Sequence, residues 1–74
     1  MKMTIESTTQ MVTADGIQCR VWEGQTERGV KVSVLVPRIA VKIGQDMKQF
    51  ESELQEQRAP SIESQEVFPL RMIL

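Results

Sequence analysis

Thr9-Gln10-Met11-Val12-Thr13-Ala14-Asp15-Gly16-Ile17-Gln18-Cys19-Arg20-Val21-Trp22 is the stretch on which the fold turns. An Asp-Gly pair between two alternating segments marks a two-residue hairpin, because a type I′ turn needs positive φ at both central positions. Centring the turn on Asp15-Gly16 pairs Ala14 with Ile17, Val12 with Cys19 and Gln10 with Val21. Thr13 with Gln18, Met11 with Arg20 and Thr9 with Trp22 then share the other face, since strand side chains alternate. Ile5 joins the Trp22 side when the first strand is carried backwards.

The next turn lies within Glu23-Gly24-Gln25-Thr26-Glu27-Arg28-Gly29. Beyond it Val30, Val32, Val34 and Val36 alternate. Placing these valines beside Ile17, Cys19 and Val21 gives one apolar face, with Val21 opposite Val32, Cys19 opposite Val34 and Ile17 opposite Val36. A two-residue loop (Thr26, Glu27) or a four-residue loop (Gln25 to Arg28) delivers that register. A three-residue loop would turn every valine to the other side. Pro37 ends or bends the third strand because it has no N–H for the ladder. After it the apolar phase moves to Ile39, Val41 and Ile43, which a bulge or a continuing edge strand would explain.

Gly44 precedes a helix with Asp46 as N-cap and Gln49 completing an approximate capping box. Met47, Phe50 and Leu54 form one apolar stripe, expected to pack on the valine face. Pro60 sets the expected helix end at Arg58 or Ala59. Lys48, Glu51, Glu53, Gln55 and Glu56 read as a solvated outer face. The polar stretch 61–66 reads as a linker, and 67–74, apolar to its last residue, as a docked strand or strap that Pro69 keeps at an edge. Met72-Ile73-Leu74 has a superficial likeness to a C-terminal ligand for strand-adding domains. The fold class expected is α+β: a three-stranded antiparallel meander followed by one helix, β-β-β-α, with a short C-terminal strand or strap. Residues 1–74 form one small domain whose first eight residues fray.

Composition narrows the chemistry. A chain of 74 residues buries only roughly 60% of the surface that its unfolded form exposes. With one cysteine and no histidine, neither an internal disulfide nor a structural zinc site can supply the missing stability. Oligomerisation or partner binding is the remaining prop for a small scaffold, and a homodimer is expected. Nine basic residues against ten acidic ones leave no cationic excess, so nucleic acid is a minor expectation. Residues 1–44 hold six basic and four acidic side chains, and 45–74 hold three and six. The opening MKMTIESTTQ lacks the apolar run of a signal peptide, and the longest apolar stretches cannot span a bilayer. A single unpaired thiol fits a reducing compartment, and the cytoplasm is the expected location.

Without histidine or tyrosine, acid–base chemistry falls to carboxylates, lysines and Cys19. Cys19 takes a core position, where a thiol behaves as a small, inert apolar group. The glycines match no phosphate-binding loop and read as turn residues, and no metal-ligand spacing occurs. The expectation is a non-enzyme with no cofactor, no metal and no small-molecule substrate. Met11, Arg20, Trp22, Lys31 and Leu35 are the candidate binding residues, on the sheet face opposite the valines. Tryptophan, methionine and arginine are enriched in protein interfaces, so a protein-binding accessory or regulatory domain is expected. Cover by the C-terminal strap is the bland alternative for that face. Arg20, Trp22 and Lys31 would also suit base stacking beside phosphate, and a purely structural, self-assembling subunit is the third reading. In size, neutrality and lack of catalytic side chains the chain resembles small bacterial and phage accessory proteins, a likeness with no residue motif behind it.

Overall fold

A computed structural model describes residues 1–61. Strands β1 (Met3–Ala14), β2 (Ile17–Thr26) and β3 (Lys31–Val36) form one antiparallel sheet in the order β1-β2-β3, followed by helix α1 (Met47–Leu54). This is the expected β-β-β-α arrangement. Residues 62–74, where most of the expected linker and the whole strap fall, lie outside the described residues. No described helix is long and apolar enough to cross a membrane.

The first hairpin closes as the Asp-Gly pair requires. Asp15 and Gly16 have φ of 51° and 77°, and Ala14↔Ile17, Thr13↔Gln18, Val12↔Cys19 and Met11↔Arg20 are paired. Beyond Met11 the register differs from simple alternation. Ser7, not Thr9, stands opposite Trp22, so residues 8–10 of β1 oppose Val21 alone. The two extra residues make a bulge, and their even number restores the original phase. The ladder then continues from Glu6↔Glu23 and Ile5↔Gly24 to Met3↔Thr26. Residues 3–8, expected to fray, are therefore strand, and Ile5 does share the Trp22 face.

Thr8 holds the bulge together. It is wholly buried; its hydroxyl donates to the Val21 carbonyl at 2.6 Å and accepts the Gln10 N–H at 3.2 Å. The hydroxyl thereby gives the Val21 carbonyl a partner where the bulge interrupts the pairing of β1 with β2.

The second hairpin overturns the expected valine register. Thr26 N–H donates to the Val30 carbonyl at 2.9 Å, and Gly29 N–H donates to the Thr26 carbonyl at 3.0 Å. These bonds enclose Glu27-Arg28-Gly29, a three-residue loop with Gly29 at φ 85°. That is the geometry of a turn ending in a left-handed bulge residue. The consequence is Val21↔Leu35, Trp22↔Val34, Gly24↔Val32 and Arg20↔Val36. Val32, Val34 and Val36 thus lie on the face of Trp22. Leu35, Ser33 and Lys31 lie on the face of Cys19 and Val21. Ile17 and Val30, assigned to the core from the pattern, are exposed.

Gly24 belongs to β2 and makes no turn. A Cβ there would sit inside the van der Waals radius of the Thr4 carbonyl oxygen and 2.7 Å from Ile5 Cα. Only glycine lets β1 approach this closely.

Strand pairing of β3 ends at Val36, and 37–43 form no strand. Helix α1 begins as expected, with Gln49 N–H donating to Asp46 Oδ1 at 3.0 Å. It ends at Leu54, four or five residues before the expected stop, because the chain is drawn to the edge of β1 at the bulge. There Thr9 N–H donates to the Arg58 carbonyl (3.0 Å), Arg58 N–H to the Ser7 carbonyl (3.3 Å) and Ser7 Oγ to the Glu56 carbonyl (3.0 Å). Thr8 and Arg58 form a parallel bridge. The chain passes from the Trp22 face, around the β1 edge, to the Cys19 face. Among the described residues only Cys19 and Val21 are buried apolar side chains.

Candidate functional site

Besides an opening of about 300 Å³ at the β1 edge beside Ser7 and Glu56, two openings lie one on each face of the sheet. The larger, about 510 Å³, lies on the Cys19 face and is bordered by Glu6, Glu23, Lys31, Ser33, Arg58 and Ser61, among others. Glu6 and Glu23 are directly opposed cross-strand neighbours, a like-charge pairing that costs stability unless a cation intervenes. Arg58 is that cation. Its Nη1 lies 2.9 Å from Glu23 Oε1 and its Nε 3.2 Å from Glu6 Oε2. Ser61 adds its backbone N–H to Glu23 Oε1 (3.0 Å) and its hydroxyl to Glu23 Oε2 (2.6 Å). Glu23 is buried, and these bonds compensate a carboxylate taken out of water. The cluster ties the segment after α1 to the sheet, and its charges are engaged in doing so. Among the described residues no group of three or more Cys, Asp or Glu is placed to hold a metal ion.

The smaller opening, about 240 Å³, is a groove on the Trp22 face. Trp22, Val36, Phe50 and Leu54 are among its lining residues, with Met11 and Ile39 exposed. Sequence and local structure explain why these side chains meet. Trp22 and Val36 stand on one face of the sheet as the β2–β3 register dictates. Phe50 and Leu54 are four apart on α1, so both project from one side of the helix. Pro37 stops β3 and sends Arg38 and Ile39 along the end of the groove. No α1 residue is buried, and Met47, on the same stripe, is half exposed. The helix lies against the sheet without sealing it.

Arg20 forms one wall. Its Nη1 donates to the Thr8 carbonyl at 2.9 Å and to Gln57 Oε1 at 3.5 Å, which links the groove to the bulge and to the end of α1. Arg38 is exposed and forms no ion pair or hydrogen bond among the described residues. Among the described residues none that lines the groove carries a carboxylate.

The five candidate residues therefore divide. Met11, Arg20 and Trp22 come together in the groove. Lys31 and Leu35 are on the opposite face, Lys31 bordering the larger opening. The grouping of Arg20, Trp22 and Lys31 on one face is corrected by the three-residue loop. The helix was expected on the valine face, and it is there, but that is also the face of Trp22. Pattern reading missed Phe50, Leu54, Val36 and Arg38 as companions of Trp22. The signal existed in the apolar phase change after Pro37 and in the helical stripe.

No protein-family model, curated protein or solved structure matches this chain.

Proposed function

We propose that this is a non-catalytic protein-binding domain whose groove between α1 and the Trp22 face receives an apolar side chain of its partner. The observation that carries the proposal is the unsealed helix. Met47, Phe50 and Leu54 form an apolar stripe with no buried member, and it is laid beside exposed Met11 and Ile39. An apolar surface rimmed by polar groups is the usual mark of an interaction site. Methionine at the rim suits such a surface, because its unbranched thioether adapts to different contacts. The groove is smaller than the roughly 300–1,000 Å³ of typical small-molecule sites. Its size favours one anchoring side chain over a metabolite.

The nucleic-acid reading loses a component, because Lys31 does not share the face of Trp22 and the Arg20 guanidinium already bonds the protein. A lone buried thiol at Cys19 supports action in a reducing compartment such as the cytoplasm.

The test compares wild type with the double variant Met11→Ser/Ile39→Ser, which removes two exposed rim side chains and leaves the sheet contacts in place. Each is used to capture proteins from a lysate of the native host, with and without nuclease treatment. A protein retained by wild type and released by the variant supports the groove. Equal retention by both, or retention that disappears with nuclease, removes the reading. Light scattering over a concentration series, run on the same pair, asks whether the partner is a second copy.

A further inference from the structure

We infer that the groove selects a partner segment in which a bulky apolar residue is flanked by carboxylates. The inference rests on the groove reading above and adds the charge of the ligand. Three observations carry it. Two arginines, Arg20 and Arg38, stand among the lining residues, and none of the described acidic residues does. Of the helix's own glutamates, Glu51 borders the Met47–Phe50–Leu54 stripe, yet neither it nor Glu53 is among the lining residues. Arg38 is exposed beside Ile39 and makes no ion pair or hydrogen bond among the described residues.

A cleft lined by charge of one sign with apolar walls concentrates its field on whatever enters. The whole chain carries a formal net charge of −1, so this cationic opening is a local feature. Arg20 contributes charge with one nitrogen committed, because its Nη1 holds the Thr8 carbonyl and Gln57 Oε1. Arg38 is the residue positioned to pair directly with a ligand carboxylate, and a planar guanidinium can do so with two parallel bonds. Apolar contact then supplies anchoring, while the arginines supply orientation and encounter rate. A single strand of nucleic acid would also bring anions. It needs a run of cations along its backbone, and among the described residues the groove offers two arginines and no lysine.

The experiment selects dodecapeptides from a random phage-displayed library on the full chain. Enriched peptides are synthesised, and their affinity is read from the fluorescence of Trp22, the chain's one tryptophan. The expected consensus is Phe, Leu, Ile or Trp with Asp or Glu within two positions on either side. Arg38→Gln should weaken binding about threefold to fivefold, Arg38→Glu about tenfold or more, and Arg38→Lys should retain most of it. Affinity of wild type should fall with added salt, and that dependence should shrink in Arg38→Gln.

The outcomes separate the two claims. Peptides that lose affinity with Met11→Ser/Ile39→Ser but show no acidic preference, or ignore Arg38→Glu, overturn the charge inference and leave the groove standing. Peptides indifferent to the Met11→Ser/Ile39→Ser pair, or no enrichment at all, overturn both. An oligodeoxythymidylate that competes with the peptides at micromolar concentration and physiological salt overturns the choice of a peptide ligand.

Discussion

Replacing Thr8 with valine is the sharpest test of how this sheet is built. Valine keeps the shape and burial of threonine and removes only the hydroxyl. That hydroxyl makes two bonds, to the Val21 carbonyl at 2.6 Å and from the Gln10 N–H at 3.2 Å. The Val21 carbonyl accepts it at the bulge, where the one-to-one pairing of β1 with β2 is interrupted. An unsatisfied buried acceptor costs about 1–3 kcal/mol, whereas a part-buried N–H recovers much of its loss from water. A methyl also needs more room than a hydroxyl, since carbon approaches a carbonyl oxygen only to about 3.3–3.6 Å. Together these put Thr8→Val at about 2–4 kcal/mol. Against about 4–11 kcal/mol for a chain of this length, that is a large fraction of the total. Thr8→Ser keeps the hydroxyl and loses one methyl, about 0.8 kcal/mol. Urea unfolding followed by Trp22 fluorescence measures both. With a slope near 1 kcal/mol/M, the midpoint should fall by about 2 M or more for valine and by about 1 M for serine. If serine proves the more damaging change, packing of the Thr8 methyl governs the bulge and the hydroxyl account is wrong.

Gly24→Ala should cost about 1–3 kcal/mol or more, because the new methyl meets the Thr4 and Ile5 backbone; an unchanged urea midpoint would remove the close approach of β1. Arg58→Met should lose about 1–3 kcal/mol, since Glu23 loses the 2.9 Å bond from the Arg58 guanidinium. Adding Glu23→Gln to Arg58→Met should recover part of that loss, and a double variant no better than Arg58→Met alone argues that the arginine acts through packing. Cys19 is buried, so a thiol reagent should modify it slowly in native protein and rapidly in urea; equal rates would contradict the position of β2 in the sheet.

The parts of this fold that could be read from sequence were those fixed by local chemistry. Asp15-Gly16 has a backbone requirement that few other pairs meet, and its turn and flanking pairs follow from it. The Asp46 cap is equally local, an oxygen three residues ahead of an orphan N–H. What escaped was decided at longer range. Thr8 is an unremarkable threonine until the Val21 carbonyl needs a donor. The helix's early end reflects bonds from residues 56–58 to Ser7 and Thr9, about fifty positions away in the chain. Pro60 marked only where a helix must stop and said nothing of tertiary contacts that stop it sooner. Glu23 did carry a legible warning, because it shares the phase of Cys19 and Val21. A carboxylate on that phase demands a cation, although sequence alone does not single out Arg58.

The site was misassigned through a single residue of loop length. Parity in a β-hairpin is binary, so two- and four-residue loops give one face partition and a three-residue loop gives the other. Choosing by hydrophobic content put four valines with Cys19 and assumed that a small domain gathers its apolar side chains on one side. The chain does something else. Its three glycine-permitted turns are each satisfied locally, with Gly29 at positive φ closing the three-residue loop, and the apolar residues divide between both faces of the sheet. One face has the buried Cys19 and Val21. The other has Trp22 and the strand valines under a helix that leaves them partly open. Turn chemistry outweighed apolar segregation because a three-residue loop with a left-handed glycine satisfies its own backbone bonds at once, whereas a gain in burial depends on everything else arriving. The same choice that divided the core set Trp22, Val36, Phe50 and Leu54 around one groove, so the exposed apolar surface proposed here as a binding site is a direct consequence of the Glu27-Arg28-Gly29 turn.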